Sequence, residues 1–132
     1  MKITTSAELV DKALKEIKTL TIDEAHSKMT EGKSNIIDIR DIRELQNSGR
    51  IEGAVHVPRG MLEFWLDPNS SYFQQNKIGN IKKMVLYCAL GFRSALATKA
   101  LQEMGFDNVS NAEGGFDSLK KIGLPIAIKE KR

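Results

Sequence analysis

The chain has 132 residues, 41% hydrophobic and 28% charged, which is the make-up of one globular domain able to bury a core without disulfide or metal staples. Net charge is +3 and the pI about 9.0, but the 20 basic and 17 acidic residues are interspersed, which describes a solvated surface and argues against a nucleic-acid stripe. The single cysteine excludes an internal disulfide and a cysteine-cluster metal site; with no secretory apolar region and no run of about 18 apolar residues, a cytoplasmic location without nucleic-acid or membrane partners is expected.

Thr5-Ser6-Ala7-Glu8 has the Thr-x-x-Glu pattern of a capping box, and Leu9, Val10, Ala13, Leu14 and Ile17 follow on one helical face, predicting a helix from Ser6 to Lys18. Thr21-Ile22-Asp23-Glu24 repeats the signature before Ala25 and Met29, and Gly32 stands where a terminating glycine belongs. Asn35-Ile36-Ile37-Asp38-Ile39 is short, β-branched and apolar, as suits a strand covered on both faces. A short helix over Asp41 to Asn47, closed by Ser48-Gly49, a strand from Gly53 stopped at Pro58, and a helical turn or two over Arg59 to Leu66 come next. Residues 67 to 83 read as loop, although Trp65, Tyr72 and Phe73 suggest that part of it packs down. Met84 to Tyr87 forms a strand, Ala95 to Met104 a helix ended by Gly105, Asn108 to Ser110 a strand and Phe116 to Ile122 a last helix. Strands alternating with helices imply a parallel α/β sheet with right-handed crossovers.

In such sheets ligands sit beyond the carboxyl ends of the strands, and Asp38 and Cys88 both fall there. Cys88 closes an apolar strand and opens Cys-Ala-Leu-Gly-Phe-Arg-Ser. Backbone N–H groups of that turn, the orphan donors of the following helix and Arg93 can converge on one spot and stabilise a thiolate or a bound anion. This makes Cys88 a nucleophile candidate needing no histidine neighbour, because no hydroxyl proton has to be removed. Gly91 allows the loop a positive φ or a close backbone approach.

Four ordered stretches carry a family resemblance: Ile36-Ile37-Asp38-Ile39-Arg40; Gly49-Arg50-Ile51-Glu52-Gly53-Ala54-Val55-His56-Val57-Pro58; Val85 through Ser94; and Glu113-Gly114-Gly115-Phe116 with Gly123-Leu124-Pro125. Together they resemble a single-domain rhodanese-like sulfurtransferase over about Thr21 to Pro125. The resemblance implies an open parallel sheet flanked by helices with an extra N-terminal helix, organised as an extension over 1–20, the domain over 21–127 and a charged tail over 128–132. It implies an enzyme in which Cys88 takes a sulfane sulfur from thiosulfate or a persulfide, holds it as a persulfide and passes it to cyanide or a thiol, with no metal or organic cofactor. Ala89, Leu90, Gly91, Phe92, Arg93 and Ser94 would form the cradle, with Asp38, Arg43 and Arg59 in support. Arg50 stands where the family often has histidine and reads as a structural substitution.

The loop is Cys-x4-Arg, one residue shorter than the Cys-x5-Arg loop of cysteine-based phosphatases, and the shorter ring suits a persulfide sulfur better than a tetrahedral phosphate. Many family members hold extra basic residues in this loop, whereas here Arg93 is its only charge. Thiosulfate is therefore expected to be a poor donor, and a mouth flanked by Phe64 and Trp65 would suit a bulkier persulfide, a small thiol or a protein persulfide partner. Blander readings stand beside these. A lone cysteine after an apolar strand is ordinarily an inert buried thiol, Arg93 could pair with a carboxylate, Asp38 could orient nearby groups, Arg43 and Arg59 could be solvated surface, and His56 reads as a hydrogen-bonded core residue. The alternatives to sulfur transfer are a non-catalytic binding or redox-sensing module of the same fold and a phosphatase or arsenate reductase.

Overall fold

The computed structural model describes residues 1–78 and 83–128, so the charged tail expected over 128–132 lies, apart from Ile128, outside the described residues. Helix α1 (Ser6–Glu16) begins at a reciprocal capping box, Thr5 Oγ1 accepting the Glu8 N–H while the Glu8 carboxylate accepts the Thr5 N–H. It stops two residues before the expected end, because Lys18–Leu20 becomes strand β1, paired in parallel with a strand 92 positions later at Lys18–Ser110. Helix α2 (Ile22–Glu31) opens with the second capping box, from Thr21, and closes on Gly32 at φ 76°. Strand β2 (Asn35–Asp38) and helix α3 (Ile42–Ser48), capped by Asp41, follow as expected.

Strand β3 (Arg50–Ile51) pairs antiparallel with β7 (Ile126–Ala127) as a separate ribbon. Strand β4 (Val55–His56) is shorter than the Gly53 to Pro58 segment suggested. A 3-10 turn (Arg59–Met61) leads into α4 (Leu62–Leu66). Within the segment read as loop there is a four-residue helix, α5 (Gln75–Ile78), too short to show a helical period. It is tied back by Gln74 N–H to Trp65 O, and Lys77 Nζ lies 4.6 Å over the Trp65 ring. The chain completes with β5 (Met84–Tyr87), α6 (Phe92–Glu103), β6 (Val109–Ala112) and α7 (Gly115–Lys121).

The main sheet is wholly parallel, in the order β1-β6-β5-β2-β4. Along β5 the side chains alternate between two cores: Val85 and Tyr87 face Ala25, Met29, Phe116 and Leu119, whereas Met84, Leu86 and Cys88 face Leu62, Leu66, Ala97 and Leu101. Both faces are thus covered, which explains the unbroken apolar run of the central strand. Helix α1 packs on the outer side of α6, fixed by Gln102 Nε2–H to Glu16 O at 3.0 Å and by a Lys99–Glu16 ion pair. Only part of its apolar stripe is covered: Val10 and Ala13 are buried while Leu9 and Leu14 remain exposed.

Candidate active site

Cys88 follows β5 at the carboxyl rim of the sheet and is 1% exposed. Its Sγ accepts the Gly91 N–H at 3.1 Å and the Ser94 N–H at 3.3 Å. Helix α6 begins at Gly91 with φ 99° and no side-chain cap, so Ser94 occupies its third position, where a capping side chain would normally accept the amide. The sulfur fills that role, and the orphan donors and dipole of α6 fall on it. The first turn of this helix, Phe92 to Ser94, precedes the expected Ala95 start because its cap is a cysteine six residues back, outside the usual capping pattern.

A polar chain continues behind the sulfur. Ser94 Oγ lies 3.3 Å from Sγ and donates to Asn111 Oδ1 at 2.6 Å, while Asn111 Nδ2 donates to Gly91 O at 3.4 Å. With the Ser94 proton given to Asn111, its oxygen is left as the acceptor for a thiol S–H; for a thiolate the two amides remain in place. Asn111 escaped the sequence reading. It lies one residue beyond the strand expected over Asn108 to Ser110, and no local pattern marked its amide as a partner of the Cys88 loop.

The loop is braced from the far side by α7, where Phe116 N–H donates to Cys88 O at 2.7 Å and Asp117 N–H to Ala89 O at 3.3 Å. Gly115, at φ 60°, permits this approach, since a Cβ there would stand 2.7 Å from the Ala89 carbonyl carbon. The Gly114-Gly115 pair thus brings two backbones into contact just after a turn at Glu113–Gly114.

A pocket of about 120 Å³ opens over the sulfur, lined by Cys88, Ala89, Leu90, Phe92 and Arg93. Leu90 and Phe92 are more than half exposed at its mouth. Arg93 does not point a free charge into it: its Nη1 and Nη2 donate to the two carboxylate oxygens of Glu44 at 2.8 and 3.0 Å. Arg93's hydrogen bonds hold the Glu44 carboxyl below the usual carboxylate range against partial burial, and the same hydrogen bonds raise the Arg93 guanidinium.

Asp38, Arg43 and Arg59 are not among the residues lining this pocket. Asp38 is fully buried and grips Arg40, from Nε at 3.0 Å and Nη2 at 2.8 Å. Arg40 is 2% exposed, donates to Gly49 O at 2.6 Å and stacks 4.1 Å from the Phe116 ring centroid. His56 Nε2–H donates to the Arg40 carbonyl at 2.7 Å, as a core histidine should. Burial, then the neighbouring Asp38 carboxylate, push the Tyr87 phenol well above its ordinary value, so the neutral hydroxyl accepts the Ile51 N–H at 3.0 Å. Arg43 pairs with Asp41 in solvent and Arg59 with Glu63. Phe64 and Trp65 do not flank the mouth: Phe64 meets Tyr72 edge-on at 6.0 Å, and Trp65 packs beside the core under Lys77. Among the described residues no cluster of histidine, cysteine and carboxylates could hold a metal ion, and no helix is long and apolar enough to cross a membrane.

Fold and site together define a parallel α/β protein whose central strand delivers a cysteine to two backbone amides at the carboxyl rim of the sheet. The chain belongs to the rhodanese-like domain family, whose model matches residues 21–122 and leaves α1 outside. It is similar to RPA3614 of Rhodopseudomonas palustris CGA009, described as a protein of unknown function and possible tyrosine phosphatase, with 42% identity over 96% of this chain and 98% of that one and a TM-score of 0.87. It is also similar to the polysulfide-sulfur transferase homodimer of Wolinella succinogenes, with 31% identity over 90% and 84% of the two chains and a TM-score of 0.70. Human TSTD1, a single-domain sulfurtransferase, gives 25% identity over 78% and 95% of the chains at a TM-score of 0.67. The "Putative sulfur carrier protein YrkF" of Bacillus subtilis (strain 168) is 30% identical over 61% of this chain, which spans only 38% of the length of that relative. Family and relatives support a sulfur-transfer role in general.

Proposed function

We propose that the protein is a sulfurtransferase in which Cys88 carries the sulfur. The observation that supports this best is the ring around Sγ: two amides and the start of α6 oriented at 3.1 and 3.3 Å towards a sulfur that also has a pocket in front of it. Such preorganised donors stabilise negative charge on a sulfur that attacks and on one that has just been delivered. In the proposed cycle the Cys88 thiolate attacks the outer sulfur of the donor. A new S–S bond forms to Cys88, the bond from that sulfur to the rest of the donor breaks, and the electron pair leaves with the departing group. A thiol or cyanide then attacks the terminal sulfur, taking it up and returning the Cys88 thiolate. The donor, whether thiosulfate or a persulfide, approaches from the Leu90–Phe92 side, where the pocket opens.

Intact-protein mass spectrometry after exposure to thiosulfate and, separately, glutathione persulfide tests the reading. A gain of one sulfur, reversed by cyanide and absent in Cys88→Ser, is the expected result. No adduct from these donors or from an alkanethiosulfonate, on a protein whose thiol is free, would overturn it in favour of a binding module, and hydrolysis of an aryl phosphate would favour the phosphatase description given to RPA3614.

A further inference from the structure

Two features at the mouth of the Cys88 pocket bear on what enters it. The first is the Glu44 carboxylate, which neutralises Arg93, the single charge of the loop. A doubly charged inorganic donor meets a cancelled cation there. The second is a cleft of about 420 Å³ between α1 and the first turns of α6, walled by Ala7, Val10, Phe92 and Leu96 with Asp11 and Arg93 at its polar edges. Phe92 and Arg93 wall this cleft and the Cys88 pocket alike, so the two spaces adjoin. The volume is that of a site for one small organic molecule. Its apolar walls and the Asp11 carboxylate disfavour a second anionic group at that end.

Building on the sulfur-transfer reading, we infer that the α1–α6 cleft seats the organic arm of the sulfur donor, and that this donor is a small persulfide or thiosulfonate with an uncharged, apolar arm. The arm lies against Val10 and Leu96 while its terminal sulfur reaches Cys88 past Phe92. For a thiosulfonate, R–SO2–S⁻, the Cys88 thiolate attacks the terminal sulfur. The S–S bond to Cys88 forms as the bond to the sulfonyl sulfur breaks, the electron pair departs with the sulfinate R–SO2⁻, and no proton moves. The helix preceding the family domain thereby becomes part of the site.

Methanethiosulfonate and pentanethiosulfonate share one reacting group and differ only in arm length, so the ratio of their kcat/KM values, with cyanide as acceptor, reads the cleft directly. The longer arm is expected to be favoured by about tenfold or more, as added methylenes in an apolar pocket are. In Leu96→Trp and in Ala7→Trp, on the exposed first turn of α1, the ratio should fall to about one. A folding failure in either variant does not stall the test, because pentanesulfinate should also inhibit the unaltered protein more strongly than methanesulfinate. Equal use of both donors, equal inhibition by both sulfinates, or a ratio unchanged in both folded variants would overturn the cleft assignment while leaving sulfur transfer intact. Failure of every donor to load Cys88 would overturn sulfur transfer itself and the cleft assignment with it.

Discussion

Arg40 and Arg43 sit three positions apart and are held by aspartates in the same manner, yet their surroundings give them opposite weight. The Arg40–Asp38 pair is enclosed, so Arg40→Ala leaves a buried carboxylate without its partner and should cost about 3–5 kcal/mol in urea unfolding. The Arg43–Asp41 pair stands in water, and Arg43→Ala should leave the urea midpoint within experimental scatter. The sequence showed Asp38 and Cys88 as strand-end residues because an apolar run ended on each. It did not show that Arg40 is enclosed, since the surfaces covering it, the Gly49 carbonyl and the Phe116 ring, come from residues 9 and 76 positions away. The same holds for Arg93: its place in the loop was legible, its engagement by Glu44 from α3 was not.

Elements with local signals were readable and those made by pairing were not. The Thr5 and Thr21 boxes and the Gly32 stop are chemistry within four residues, and α1 and α2 start where these say. Strands β1, β3 and β7 have two or three residues and exist through their partners, so no period could reveal them. The contact between the Cys88 loop and α7 belongs at this scale. Gly115→Ala would push a Cβ into the Cys88–Ala89 backbone at a φ that alanine resists, so the two elements must separate. The expected outcome is a lower melting temperature together with slower sulfur loading of Cys88, measured on the fraction that remains folded. Loading at the unaltered rate would show that the brace from α7 does not set the loop.

At the scale of the molecule, the alternation of strands and helices was enough to give a parallel sheet with Cys88 at its carboxyl rim, whereas the strand order depended on which edges meet. The Glu44–Arg93 pair ties α3 to α6 across that rim and makes stability depend on pH. Arg93 lowers the Glu44 carboxyl in the folded state, so the contribution is fully present above the unfolded value of about 4.3 and is lost as the pH falls through the lower folded value. Both groups are partly solvated, so its size should be under about 1 kcal/mol. Urea unfolding of the unaltered protein and of Glu44→Gln, which keeps the capping contact at Asp41, should differ at about pH 6 and draw together as the pH falls through the lowered folded value. A constant difference would exclude the pair as the source.

The sulfur that caps α6 is also the atom the proposed chemistry alters. Once a second sulfur is attached, negative charge moves one bond outward, and the amides of Gly91 and Ser94 face a neutral atom in place of a thiolate. In the proposed cycle the opening turn of α6, which carries Phe92 and Arg93, would therefore meet a different charge on its capping sulfur when the cysteine is empty and when it is laden.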